Sequence, residues 1–229
     1  KAATGKVVTD TCTNMSLNGL SKRYCKKVYQ FTCTKDTSST PPENPGEGTE
    51  TSPYLIQNID DLIFFRDSVN KGETKYSAPG VWVALAADID MAGENWVGIG
   101  SITQDHGFMG NFDGKTFKIK NLTINNPTLN GGYAYAGFFS ITEGTETAQN
   151  IIKNLTIENV TINTTGQIVS AAIAYPYYTI VENVNVCGDI NITGGDYTAG
   201  ALAYTRRCVN ASNVSVVGNS GSTITGGQA

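Results

Sequence analysis

Few residues in this chain have the types and spacing for chemistry. Asp88 and Asp90 stand two apart and would share one face of a strand, with Asp105, His106 and Asp113 close in sequence. Two carboxyls roughly 5–10 Å apart across a groove, one held protonated, hydrolyse glycosidic bonds. A lyase would add a basic residue, or calcium bound by several carboxylates. The competing reading is structural, and it is preferred: aspartates at bends accept hydrogen bonds from turn amides, and Asp113-Gly114 is a common turn dipeptide. His106 is the one histidine, so a Ser-His-Asp triad, a histidine-rich zinc site or a histidine acid would each depend on it alone. No GxGxxG or GxxxxGK[ST] occurs, which leaves nucleotide chemistry without a foothold. The sequence therefore assigns no catalytic residue, no metal and no cofactor, and a non-enzymatic role is expected.

A second constellation is better suited to binding. Tyr175 and Tyr204, Tyr177 and Arg206, and Tyr178 and Arg207 recur at one common offset. If that offset is one turn of a repeat, phenol and guanidinium groups form a column along one edge, which Tyr133 and Tyr135 would extend. Such a strip can stack on sugar rings, bond to their hydroxyls, or receive an acidic glycan through the arginines. Tyr175 and Tyr204 share parity with the inward Ile173 and Leu202, so corner packing is expected of them. Tyr177, Tyr178, Arg206 and Arg207 are the candidate ligand-binding residues.

The elements that must position these groups follow from a repeat. Asn121-Leu-Thr-Ile124, Asn154-Leu-Thr-Ile157, Asn183-Val-Asn-Val186 and Asn213-Val-Ser-Val216 share the pattern N-[LV]-[TNS]-[IV], at spacings of 33, 29 and 30 residues. Ala136-Gly-Phe-Phe-Ser140, Ala171-Ala-Ile-Ala-Tyr175 and Gly200-Ala-Leu-Ala-Tyr204 recur with a similar period, as do Ile192-Thr-Gly-Gly195 and Ile224-Thr-Gly-Gly227. Short alternating strands in units of about 30 residues predict a β-solenoid, an all-β fold of stacked coils. Stacking would put Leu122, Leu155, Val184 and Val214 in one inner column and Ile124, Ile157, Val186 and Val216 in the next. The recurring asparagines read as a hydrogen-bonded ladder at the bends. The repeat breaks off mid-coil, so further C-terminal coils or another module are expected there.

Upstream, Asn58 is a good N-cap for a helix over 59–69, with Ile59, Leu62, Ile63, Arg66 and Val69 at helical spacing and Gly72 as its stop. This helix is placed to cap the first coil. Residues 81–85, 88–91 and 96–99 read as short strands. Residues 37–53 hold Pro, Gly, Ser and Thr without a large apolar side chain, which reads as a linker. Residues 1–36 form a small basic arm, with a strand expected over 27–33. The domains are thus 1–36, 37–53 and 54–229.

The chain has 229 residues and a net charge of −4. The arm carries seven basic and two acidic residues, the remainder nine and 18. An acidic body would repel a duplex, so no nucleic-acid partner is expected. No apolar run approaches the ~20 residues that span a bilayer, so no transmembrane segment is expected. Among Cys12, Cys25, Cys33, Cys187 and Cys208, one disulfide within the arm is expected without a readable pairing. Cys187 and Cys208 read as small buried hydrophobes.

Residues 48–229 resemble bacterial surface proteins built from GLUG-type repeats, common in gut Bacteroidetes. The resemblance rests on Gly48-Thr49, Pro53-Tyr54-Leu55-Ile56, Asp61-Leu62, Val69-Asn70, Ala87-Asp88-Ile89-Asp90 and Trp96-Val97-Gly98-Ile99-Gly100. Phe108-Met-Gly-Asn-Phe-Asp-Gly114 and Ile119-Lys-Asn-Leu-Thr-Ile124 continue it, and the later coils depart from it with Ala-Ile-Ala-Tyr and Ala-Leu-Ala-Tyr. It implies a right-handed parallel β-helix on an exported, cell-surface or extracellular, adhesin-like protein. The functions to weigh are a module that binds a glycan or an extracellular or surface protein, or acts as a spacer. The alternatives are a fibre subunit and a β-helix lyase or glycoside hydrolase.

Overall fold

The computed structural model describes residues 5–17, 20–31, 44–100, 107–126, 135–207 and 210–227, of which 5–31 are described as backbone only. Cys33, Asp105, His106, Tyr133 and Cys208 lie outside the described residues. The chain divides into two compact units, Lys1–Pro41 and Pro42–Ala229.

The first unit is an antiparallel hairpin of β1 (Gly5–Leu17) and β2 (Leu20–Phe31), with Cys12 opposite Cys25 in the register. Only its second strand is expected from alternation over 27–33. The first is supported by β-branched Val7, Val8, Thr9, Thr11 and Thr13, residues that fit a pleated surface.

The second unit is a parallel β-solenoid of about five turns. It opens with β3 (Tyr54–Ile56), α1 (Ile59–Asn70) and the short α2 (Thr74–Ser77). The coils then run β4 (Trp82–Leu85) and β5 (Ile89–Asp90); β6 (Asn111–Asp113), β7 (Lys118–Asn126), β8 (Tyr135–Ala136) and β9 (Phe139–Glu143). Next come β10 (Asn150–Lys153), β11 (Thr156–Thr164), β12 (Ile168–Ser170) and β13 (Ile173–Tyr177). The last are β14 (Thr179–Thr193), β15 (Tyr197–Ala199), β16 (Asn210–Gly218) and β17 (Thr223–Thr225). Among the described residues every strand pairing in this unit is parallel. One face stacks Val83, Phe112, Ile152, Val181 and Ala211 in register, at steps of 29, 40, 29 and 30 residues. The strands β8, β12 and β15 form a second face, and β9 with β13 a third, extended by single bridges at Leu202 and Arg206.

The inner columns differ from those expected. Leu155, Val184 and Val214 do share a column, but Leu122 sits against Val160, and Ile124 stacks with Ile162, Ile192 and Ile224. Ile157 lies between Ile119 and Val186, with Val216 next. The motif occurs at two successive bends of one coil, at Asn154 and Asn159, and Asn121-Leu-Thr-Ile124 belongs with Asn159-Val-Thr-Ile162, one bend later than Asn154.

The asparagines accordingly form two ladders. Asn154 donates to Asp113 Oδ1 at 2.9 Å, Asn183 to Asn154 at 3.0 Å and Asn213 to Asn183 at 2.8 Å. At the next bend Asn121 donates to Asp90 at 2.8 Å and Asn159 to Asn121 at 3.3 Å. All five asparagines have φ between +52° and +61°, a left-handed conformation that asparagine tolerates because its short amide bonds locally.

Helix α1 caps the first coil as expected. Asn58 accepts from the Asp61 amide, while Asp61 returns bonds to Asn58 Nδ2 and the Gln57 amide, so a reciprocal cap fixes the start. Gly72, at φ +78°, follows the stop. Leu62, Phe65 and Val69 are fully buried, and the Phe65 ring meets those of Phe108, Phe112 and Tyr76. Residues 44–53 of the Pro/Gly/Ser/Thr stretch fold onto this end: Leu55 N donates to Pro45 O and Trp82 N to Gly48 O.

Two further expectations are corrected. Over 96–99 only Ile99 pairs, through a single bridge to Phe139. Gly98 there packs so close to Ser140 and Gly137 that a Cβ would collide with both. Cys187 is not buried: it is a half-exposed free thiol on the outward side of β14.

Candidate functional site

The structure first tests the carboxylates. Asp88 accepts from the Lys118 amide at 2.9 Å and from Lys120 Nζ at 2.6 Å. Asp90 accepts from Asn121 Nδ2 at 2.8 Å and the Ala92 amide at 2.9 Å. Hydrogen bonding, from Lys120 for Asp88 and from Asn121 for Asp90, holds both below the ordinary carboxylate range. Asp113 is nearly buried, and burial is the largest single influence, pushing its pKa up. The Asn154 amide, the Lys115 amide and the Lys115 ammonium together outweigh it, so the net shift is downward. All three aspartates are ionised and engaged with turn and corner groups, as the structural reading expects. None is kept protonated as a general acid must be. Among the described residues no group of three His, Cys, Asp or Glu is placed to hold a metal ion, and no helix is long and apolar enough to cross a membrane.

The four predicted binding residues come together. Tyr177 and Arg206 are bridged neighbours on successive coils, which puts Tyr178 beside Arg207. Arg207 Nη1 donates to the Tyr178 hydroxyl at 2.6 Å, with its guanidinium carbon 5.4 Å from the ring centroid. The Tyr178 ring meets Tyr177 edge-on at 4.7 Å. Arg206 lies beside Tyr175, with Tyr204 and Tyr177 close by; hydrogen bonding toward Tyr175 leads in holding its pKa above the ordinary value.

Tyr175 and Tyr204 belong to the same surface, contrary to the corner packing expected of them. Ala171, Ala172, Ile173 and Ala174 are all fully buried, which ends strict alternation. Tyr175 then emerges half-exposed, and Pro176 takes the inward position. Tyr175 stacks on Tyr204 at 5.7 Å and 13°, and on Tyr177 at 6.1 Å and 14°. Tyr135 joins Tyr175 at 5.4 Å, and Tyr197, the most exposed of the six at 46%, joins Tyr204 at 4.8 Å. Tyr197 is the member that sequence reasoning missed. It stands on β15, in register with Ile168 of β12 and Tyr135 of β8, on the neighbouring face. The result is a continuous chain of six phenol rings across two faces, edged by two guanidiniums.

Against known proteins, no family model matches the sequence and no curated protein does. Among solved structures, the chain is similar to a putative immunoglobulin A1 protease from Bacteroides ovatus, at 18% identity and a TM-score of 0.42. The match covers 79% of this chain and spans 60% of that protein's chain.

Proposed function

We propose that this chain is a non-enzymatic, adhesin-like module of a cell-surface or extracellular protein, and that its tyrosine/arginine edge binds saccharide. One observation carries the reading. Among the described residues, eight other than glycine adopt left-handed φ: five asparagines, Lys115, Tyr178 at +46° and Arg207 at +53°. For a bulky side chain this conformation is a genuine outlier, costing on the order of 1 kcal/mol or more. The solenoid fills most of its other left-handed bend positions with asparagine, Lys115 and Gly188 apart, so a tyrosine and an arginine stacked at one bend are a poor choice for folding alone. They are also the pair that joins the phenol chain. Local rules are broken most often where function demands a particular side chain. Stacked phenols suit sugar rings, offering an apolar face and a polar tip together. The resemblance to GLUG-type surface repeats supports the surface location, and the engaged aspartates weigh against the hydrolase or lyase alternative.

The test of this reading is retention of the purified protein on immobilised mucins and a glycan panel, with the eluate examined for shortened sugar. Saturable retention without cleavage, lost in Tyr177→Ala/Tyr178→Ala, is the expected result. Retention unchanged in that variant removes the site assignment, and shortened sugar removes the non-enzymatic reading.

A further inference from the structure

We infer that the edge selects anionic saccharides, with Arg206 and Arg207 as the oxyanion-reading residues. This deepens the saccharide-binding reading and rests on it.

The solenoid unit carries nine basic side chains. Arg66, Lys115, Lys118, Lys120 and Lys153 each lie within 4.0 Å of a carboxylate. Arg206 and Arg207 do not, among the described residues, and neither do Lys71 and Lys75; of these four only the arginines stand side by side, Arg207 on the Tyr178 hydroxyl and Arg206 beside Tyr175. The carboxylates that flank the edge are turned to other contacts. Asp196 accepts from Gln167 Nε2 at 3.0 Å, and the Glu143 side chain lies against Gly107. A phenol occupies one donor direction of a guanidinium and neutralises none of its charge, so donors remain for a ligand. Both arginines are exposed.

Two adjacent uncompensated guanidiniums on an otherwise acidic body make a local positive focus. Each can bond a planar carboxylate bidentately, or a sulfate through two oxygens. The tyrosine rings beside them supply the platform for the sugar itself. Arg207 is held in place by its bond and cation–π contact to Tyr178, so less side-chain freedom is lost when a ligand arrives. A neutral sugar would use only the platform. An acidic sugar would use platform and guanidiniums together, which is the specificity the arrangement favours.

The experiment measures binding of the full chain to oligogalacturonate and to its fully methyl-esterified form, which share a backbone and differ in charge. Dextran sulfate and dextran form a second pair, separating sulfate from carboxylate as the source of the anion. The expected result is at least tenfold tighter binding to one or both anionic members, weakening as salt rises. Arg206→Gln/Arg207→Gln should reduce that preference to within about twofold, while unchanged circular dichroism reports an intact solenoid. Equal affinity for charged and neutral members, lost in Tyr177→Ala/Tyr178→Ala, overturns the anion selectivity and leaves saccharide binding standing. A preference that survives the double arginine substitution overturns the residue assignment. No binding to any member overturns this inference, and no retention on the wider glycan panel overturns the saccharide reading beneath it.

Discussion

Asn154 ties three coils together, and replacing it separates side-chain bonding from backbone conformation. Its amide donates to Asp113 Oδ1 at 2.9 Å and accepts from Asn183 Nδ2 at 3.0 Å, with φ at +55°. The bond to a carboxylate contributes about 1.5–3 kcal/mol, and the exposed amide–amide bond about 0.5–1.5 kcal/mol. Asn154→Gly loses both and adds roughly 0.5–1 kcal/mol of chain entropy, but accepts the dihedral. Asn154→Ala loses the same bonds and places a Cβ in the left-handed region, at about 1–2 kcal/mol. Asn154→Gly should lose about 2.5–5.5 kcal/mol in urea unfolding and Asn154→Ala about 3–6.5 kcal/mol, with alanine roughly 0.5–1 kcal/mol below glycine. A pH dependence accompanies the loss. Asp113 has a folded pKa below its ordinary 3.8, so its contribution is present above that value and disappears as pH falls through the folded one. Asn154 provides part of that lowering, so the gap between wild type and Asn154→Gly should narrow below about pH 4. An alanine variant as stable as the glycine variant, or a gap that does not narrow as Asp113 is protonated in the folded protein, would refute the corner-ladder reasoning.

Three other outcomes follow from packing. Phe65→Ala should cost about 3–5 kcal/mol and expose the first coil to proteolysis, because its ring fills the space among Phe108, Phe112 and Tyr76; limited digestion that spares residues 82–113 would count against α1 as the cap. Gly98→Ala should lose roughly 1–3 kcal/mol in thermal unfolding, since the added methyl meets Ser140 and the Gly137 carbonyl; an unchanged melting temperature would remove that contact. Cys187 should be alkylated in the native protein, read by peptide mapping, and a requirement for denaturant would show that it is buried.

The solenoid was legible because one coil's inward residues repeat at a near-constant interval. Its register was not, because the Asn-led motif recurs five residues apart within one coil, at Asn154 and Asn159. A period alone cannot say which copy faces Asn121. The structure chooses Asn159, since a 40-residue step from Phe112 to Ile152 displaces the first face while β7 still pairs with β11. The candidate site was legible where it ran along one column, through Tyr177, Tyr178, Arg206 and Arg207. It failed at Tyr175, where a run of seven buried residues, 168–174, ends the alternation on which parity depends. It failed also at Tyr197, which joins from a different face. The hairpin's first strand carried a usable signal, the Asn18-Gly19 dipeptide between two alternating runs.

Tyr178 and Arg207 offer the sharpest separation of folding from function. If they occupy their bend for a ligand, replacing both with asparagine should convert that bend into another ladder rung. The two introduced amides would stand one coil apart, as those of Asn154 and Asn183 do, and would bond as that pair does at 3.0 Å. The substitution removes a phenol–guanidinium bond and an exposed cation–π contact, together about 1–2 kcal/mol at a solvated site. It returns an amide–amide bond of about 0.5–1.5 kcal/mol and relieves two left-handed positions at about 1 kcal/mol each. The sum favours the variant by roughly 1 kcal/mol, while saccharide retention should fall at least tenfold. Such an exchange of activity for stability is characteristic of residues kept for binding. A Tyr178→Asn/Arg207→Asn protein less stable than wild type by more than about 1 kcal/mol would mean that the pair holds the corner together. The phenol chain would then be a structural device, and a ligand would have to be sought elsewhere on the solenoid.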